Sequence, residues 1–145
     1  MSNRKTFLNM YWSLRRFLYE QFTGIPIYYN PLMRPSGIGE KFLILHFQEE
    51  RFGKMSYSFP RIWCVSKTDP ELIKLSDLVS AVSEAFASPV TGKKRITLYD
   101  EASGSVLGSI EVTDIAVRPV LNYEEGFMYR AVDLTLRYIV EERHL

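Results

Sequence analysis

The side chains best suited to nucleophilic, general-base or soft-metal chemistry near neutral pH are His46, His144 and Cys64. Their settings argue against that use. His46 lies inside the apolar run 42–47, Cys64 stands between Trp63 and Val65, and His144 is in the terminal tail. A catalytic group needs a partner within hydrogen-bond reach, and structural zinc takes four ligands. A histidine in an apolar strand reads as structural, and a thiol flanked by Trp and Val reads as a buried, inert one. The carboxylates come as adjacent pairs, Glu49-Glu50, Glu124-Glu125 and Glu141-Glu142. Neighbours on a strand point to opposite faces, so such doublets do not converge on one substrate. Gly37-Ile38-Gly39 lacks the rest of a dinucleotide fingerprint and precedes a strand, so it cradles no phosphate. No catalytic, cofactor-binding or metal-ligating residue is therefore assigned. The expectation is a protein that binds or assembles, not an enzyme.

Composition agrees with one globular domain over 1–145, with 1–5 and 141–145 loose at its ends. At 145 residues, 46% apolar and 24% charged, the chain can bury a full core. The formal net charge of +1 supplies no global field for nucleic acid or an anionic membrane. Arg15-Arg16 and Lys93-Lys94-Arg95 read as solvated clusters. One cysteine excludes an internal disulfide and suits a reducing compartment. No run reaches the ~20 apolar residues of a membrane span, and Arg15-Arg16 interrupt any secretory signal, so a cytoplasmic site of synthesis is expected. Aromatics are abundant, with nine Tyr and nine Phe, a surplus that strand-rich cores and protein interfaces both use.

The elements that would position these residues follow from periodicity. Phe7, Tyr11, Leu14, Leu18 and Phe22 predict a helix from about Thr6 to Phe22, widened by Met10 and Phe17 and closed near Gly24. Trp12 and Tyr19 fall on another face, where they either cap the core edge or meet a partner. A short edge strand follows at 25–29, then a Pro/Gly loop from Asn30 to Gly39. Phe42 to Phe47 reads as a strand buried on both faces. With the alternating run from Met55 to Val65 it makes a long hairpin, with a charged tip around Glu49-Glu50-Arg51 and a bend or bulge at Pro60. Thr68 or Asp69 caps a second helix with its stripe at Leu72, Leu75, Val79, Val82 and Phe86. Strands follow at Ile96–Tyr99 and Val106–Val117, with a bulge near Asp114. The last strand points Val132, Leu134, Leu136, Tyr138 and Val140 inward. The fold class is α+β, a mainly antiparallel twisted sheet with two amphipathic helices packed on one face.

This order of elements resembles the tail-terminator, or tail-completion, proteins of long-tailed bacteriophages. The leading helix, the Ile-Pro-Ile-Tyr strand, the hairpin with a two-part second arm, the helix after Thr68-Asp69-Pro70-Glu71 and the closing Val-Asp-Leu-Thr-Leu-Arg-Tyr strand carry the resemblance, from about Thr6 to Val140. It implies a virion protein that forms a homo-oligomeric ring, a hexamer in that family. Such a ring ends the tail tube and joins it to the head connector or neck. Tail tube protein and connector would be partners, DNA would only pass through, and no membrane or cofactor would be involved. A closed ring needs two different patches per subunit. Loop length, charge and aromatic exposure nominate Trp12, Tyr19, Pro35, Ile38, Glu49, Glu50, Arg51 and Phe52. Two other readings stay open: another head–tail joining protein, or a non-viral domain with a ligand pocket between helices and sheet.

Overall fold

The structure, a computed structural model, describes residues 2–29, 40–122 and 126–141. Its elements run α1 (Asn3–Gln21), β1 (Ile27–Tyr28), β2 (Lys41–Arg51), β3 (Ser56–Lys67), α2 (Ile73–Phe86), β4 (Arg95–Tyr99), β5 (Val106–Val117), β6 (Leu121–Asn122) and β7 (Phe127–Val140). The sheet order is β1-β2-β3-β7-β5-β4, with β6 paired to β7. Among the described residues only β1 and β2 pair in parallel; the other pairs are antiparallel. Both helices pack on one face, as the two apolar stripes predict.

Between helices and sheet lies the main core. Met10, Leu14 and Leu18 from α1 meet Leu75, Leu78, Val79, Val82 and Phe86 from α2 over Leu43, Leu45, Ile62, Val132, Leu134 and Leu136. Each such side chain, fully buried, stabilises the fold by about 1.5–3 kcal/mol relative to exposure. The opposite face carries a second cluster of Phe42, Ile44, Val65, Phe127 and Tyr129, with Tyr28 and Trp63 against it. The expected two-faced burial thus holds from Phe42 to Leu45, while His46 and Phe47 are half-buried.

Several local expectations change. Helix α1 begins at Asn3 rather than Thr6, because the Ser2 hydroxyl accepts the Lys5 N–H at 3.1 Å. Its buried face is Thr6, Asn9, Met10, Ser13, Leu14 and Leu18, while Phe7 and Tyr11 are only half-buried. The second helix starts at Ile73, and its cap position is Leu72, in a left-handed conformation with φ 59°. Asp69 still serves the helix end, from outside it. Its carboxylate accepts the N–H groups of Lys74 and Leu75 at 3.2 and 2.9 Å. Desolvation pushes that carboxyl up, but these backbone hydrogen bonds and the nearby Lys74 charge outweigh it and hold the pKa below the usual value.

The hairpin tip is also displaced. Glu49, Glu50 and Arg51 belong to β2, and the turn lies beyond them at 52–55. The register shift falls on β2, between Phe47 and Glu50, opposite the Pro60 region. Pro60 itself faces β7, where pairing lapses between Ser58–Leu136 and Arg61–Asp133, since the ring nitrogen has no proton to donate. The bulge in β5 lies between Val112 and Asp114, as expected. Gly108 in the same strand has no room for a Cβ, because the Ile139 carbonyl occupies that space. The turn expected from Asn122 to Gly126 falls largely outside the described residues.

Candidate assembly interface

Side-chain alternation separates the two described residues that chemistry would need together. Cys64 is buried on the helix side of β3. His46, half-buried on β2, pairs in register with Arg61 on the far side. Burial pushes the Cys64 thiol up to about 12, against a small opposing effect of Arg130, so its reactive thiolate is suppressed. Among the described residues no three metal-binding side chains converge. His144 and Gly37-Ile38-Gly39 lie outside the described residues.

The face of the sheet away from the helices is built differently. Asp133 on β7 is gripped by two arginines. Arg61 donates to both of its oxygens, at 2.6 and 2.9 Å, and Arg118 donates at 2.7 Å. The Arg61 hydrogen bond, with Arg118 assisting against desolvation, holds the Asp133 carboxyl below the usual carboxylate range. Arg61 also lies over the Trp63 ring, 4.9 Å from its centroid. A second carboxylate, Glu111 on β5, is flanked in the same way by Arg95 at 3.4 Å and Arg137 at 3.3 Å. The Asp133 clamp lies next to the Trp63 row on this face, whereas the Glu111 clamp sits further toward the opposite end of the sheet from Phe127 and Tyr129. Phe42, Ile44, Phe127 and Tyr129 are themselves buried, so what this face leaves accessible is the half-buried Trp63 and the oriented arginines, residue types enriched at protein interfaces.

The nominated residues are scattered around this body. Tyr19 is the most open, at 73% exposure, and lines a cleft of about 320 Å³ with Phe22, Ile25 and Tyr29. Trp12 is 44% exposed but not idle: it meets Tyr11 edge-on, and the Arg15 guanidinium lies 4.5 Å above it. Arg15 is itself 3.6 Å from the Tyr29 centroid, so this stack ties the end of β1 to α1. Phe52 and Met55 are exposed at the hairpin end. Glu49 and Arg51 form a surface pair at 3.1 Å. Burial, and then the Glu49 charge, raise the Glu50 pKa. Pro35 and Ile38 lie outside the described residues.

Two residues with an evident task were missed. Ser13 and Asn9 sit on the buried face of α1, where an apolar stripe is normally read, and their oxygens accept the N–H groups of Tyr99 and Glu101 at 2.8 and 2.9 Å. They close the end of the edge strand β4. Polar residues one turn apart (9 and 13) within the stripe are the only sequence signal they give.

Neither a family model nor a curated protein matches the sequence. One solved structure, whose label states no function, aligns with 97% of this chain and 99% of its own at a TM-score of 0.62 and 10% identity. A chain labelled as from the virion of a native gene transfer agent particle aligns over 92% of each chain at a TM-score of 0.45 and 17% identity. The first likeness establishes a fold shared end to end. At its score the second carries no argument.

Proposed function

We propose that this chain is a structural subunit of a phage-type tail, assembling with copies of itself into a ring that ends the tail tube and meets the head connector. The observation that carries this reading is the helix-free face of the sheet. It presents the half-buried Trp63 with the Arg61 and Arg118 guanidiniums around Asp133, while the described histidine and cysteine stand on opposite sides of the sheet. The ordered resemblance of the elements to tail terminators supplies the identity of the assembly, with six subunits as its expected size. Tyr19, Trp12, Phe52 and the Glu49–Arg51 pair are the other surfaces offered to neighbouring copies, to tube protein or to connector. A ligand pocket between helices and sheet is disfavoured because Met10, Leu14, Leu75, Val82 and Phe86 fill that layer. Light scattering on the purified chain tests the reading: a discrete species near six times 16.9 kDa is expected. A monomer at high concentration would sink it.

A further inference from the structure

Among the described residues the sheet leaves two strand edges open in matching positions. On one side β1 ends at Tyr28, opposite Ile44, so the outer side of β2 from Leu45 to Arg51 has no strand partner among the described residues. On the other side β4 begins at Arg95, opposite Glu111, and its last backbone link to β5 runs from the Val112 N–H to the Lys94 carbonyl. Beyond the bulge, the Arg118 N–H donates to the Ala131 carbonyl on β7. Backbone groups alternate sides along a strand, so those of Ile115 and Val117 point away from the sheet. Among the described residues they meet no strand.

Rows of cross-strand neighbours connect these edges directly. Leu45–Ile62–Val132–Val117 is one continuous row on the helix side, and His46–Arg61–Asp133–Ala116 is the next on the far side. Three antiparallel steps separate β2 from β5, so the two strands run in opposite directions. The open windows also end together. β5 stops at Val117, before Arg118 and Pro119, and the following row of the sheet is the one in which Tyr28 covers Ile44. At the other end, Arg51 closes β2 in the row Arg51–Tyr57–Arg137–Glu111, where Arg95 of β4 takes over.

From this match we infer that the outer edge of β5 in one copy pairs, antiparallel, with the outer edge of β2 in a second copy. This inference rests on the self-assembly proposed above and names the contact that builds it. Continuing each row sets Val117 against Leu45, Ala116 against His46 and Ile115 against Phe47. Apolar side chains then meet on the helix side, and the sheet passes from subunit to subunit. The contact is heterologous, because β5 and β2 are different edges, and a heterologous contact repeated through a closing rotation makes a ring. Open edges of this kind invite pairing with another chain.

Two variants of the full chain test it. Val117→Pro removes one outward N–H while leaving the ladder to β7 intact, and edge strands tolerate proline. It is expected to reduce the scattering mass from the assembled species to monomer, with an unchanged circular dichroism spectrum. The double variant His46→Cys, Ala116→Cys places its thiols at a pair that exchanges no backbone hydrogen bonds, where strands approach to about 4.5 Å. Mild oxidation should link neighbouring subunits into a covalent ladder on a denaturing gel. Assembly that survives Val117→Pro at full mass, or an assembled double variant that never cross-links, overturns the pairing and leaves the ring standing. A monomeric unaltered chain overturns both. Should Val117→Pro fail to fold, the cross-linking result decides.

Discussion

The hydroxyl of Ser13 on α1 accepts the backbone N–H of Tyr99 on β4 at 2.8 Å, joining the first helix to the last strand of the sheet. One turn earlier, Asn9 does the same for Glu101 at 2.9 Å, and its amide reaches the Tyr138 hydroxyl at 3.4 Å. A helix side chain here satisfies a strand edge that would otherwise be open. Edges left unpaired are prone to adventitious pairing, and among the described residues this closure leaves no free edge at the Tyr99 end of β4.

Replacing Asn9 with Leu is therefore expected to destabilise the chain, by about 1–3 kcal/mol for a buried polar group left without its partner. Ser13→Ala should cost less, about 1 kcal/mol, because it removes one neutral hydrogen bond to the sheet where Asn9 makes two. Urea denaturation of each variant measures both. Equal stability to the unaltered chain would show that these helix–edge bonds contribute nothing net.

Acid should weaken the fold through Asp133 and Asp69. Both carboxyls have folded pKa values below their ordinary ones: Asp133 chiefly through the Arg61 hydrogen bond, and Asp69 because backbone hydrogen bonds overcome desolvation. A depressed folded pKa contributes stability that is present above the unfolded value near 3.9 and is lost as pH falls through the folded value. Thermal melts should thus be flat above about pH 5 and drop below about pH 4. Asp133→Asn should flatten part of that drop. At neutral pH its cost should be about 1 kcal/mol, since the arginines flanking Asp133 are partly solvent-exposed and screened. An acid limb unchanged in the variant would assign the pH response elsewhere.

Cys64 should resist thiol reagents in the folded protein. It is fully buried, and burial lifts its pKa to about 12, so neither access nor thiolate is available. Labelling by a chromogenic disulfide is expected to be slow in buffer and complete in denaturant, tracking the unfolded fraction. Rapid stoichiometric labelling without denaturant would contradict the packing described for β3.

Periodicity alone was enough to read two helices on one face of a largely antiparallel sheet. Alternation in β7 and the unbroken apolar run in β2 record which faces are buried, and burial is a property each strand carries in its own residues. The Thr113 bulge was legible for the same reason: an extra residue shifts the apolar phase. Sequence could also set the isolated cysteine and histidine aside, because neither has a partner at chemical spacing. What it could not supply was anything that depends on which strands become neighbours. Asp133 and Arg61 are 72 positions apart, and only the β3–β7 register brings them to 2.6 Å. Asn9 and Ser13 look like flaws in an apolar stripe until β4 arrives beside them. Proximity nominates Thr68 or Asp69 as the cap, yet the chain turns so that Asp69 reaches Lys74 and Leu75 from outside the helix. The open edges of β2 and β5 belong wholly to the tertiary structure, since an edge exists only once the order of strands has been decided.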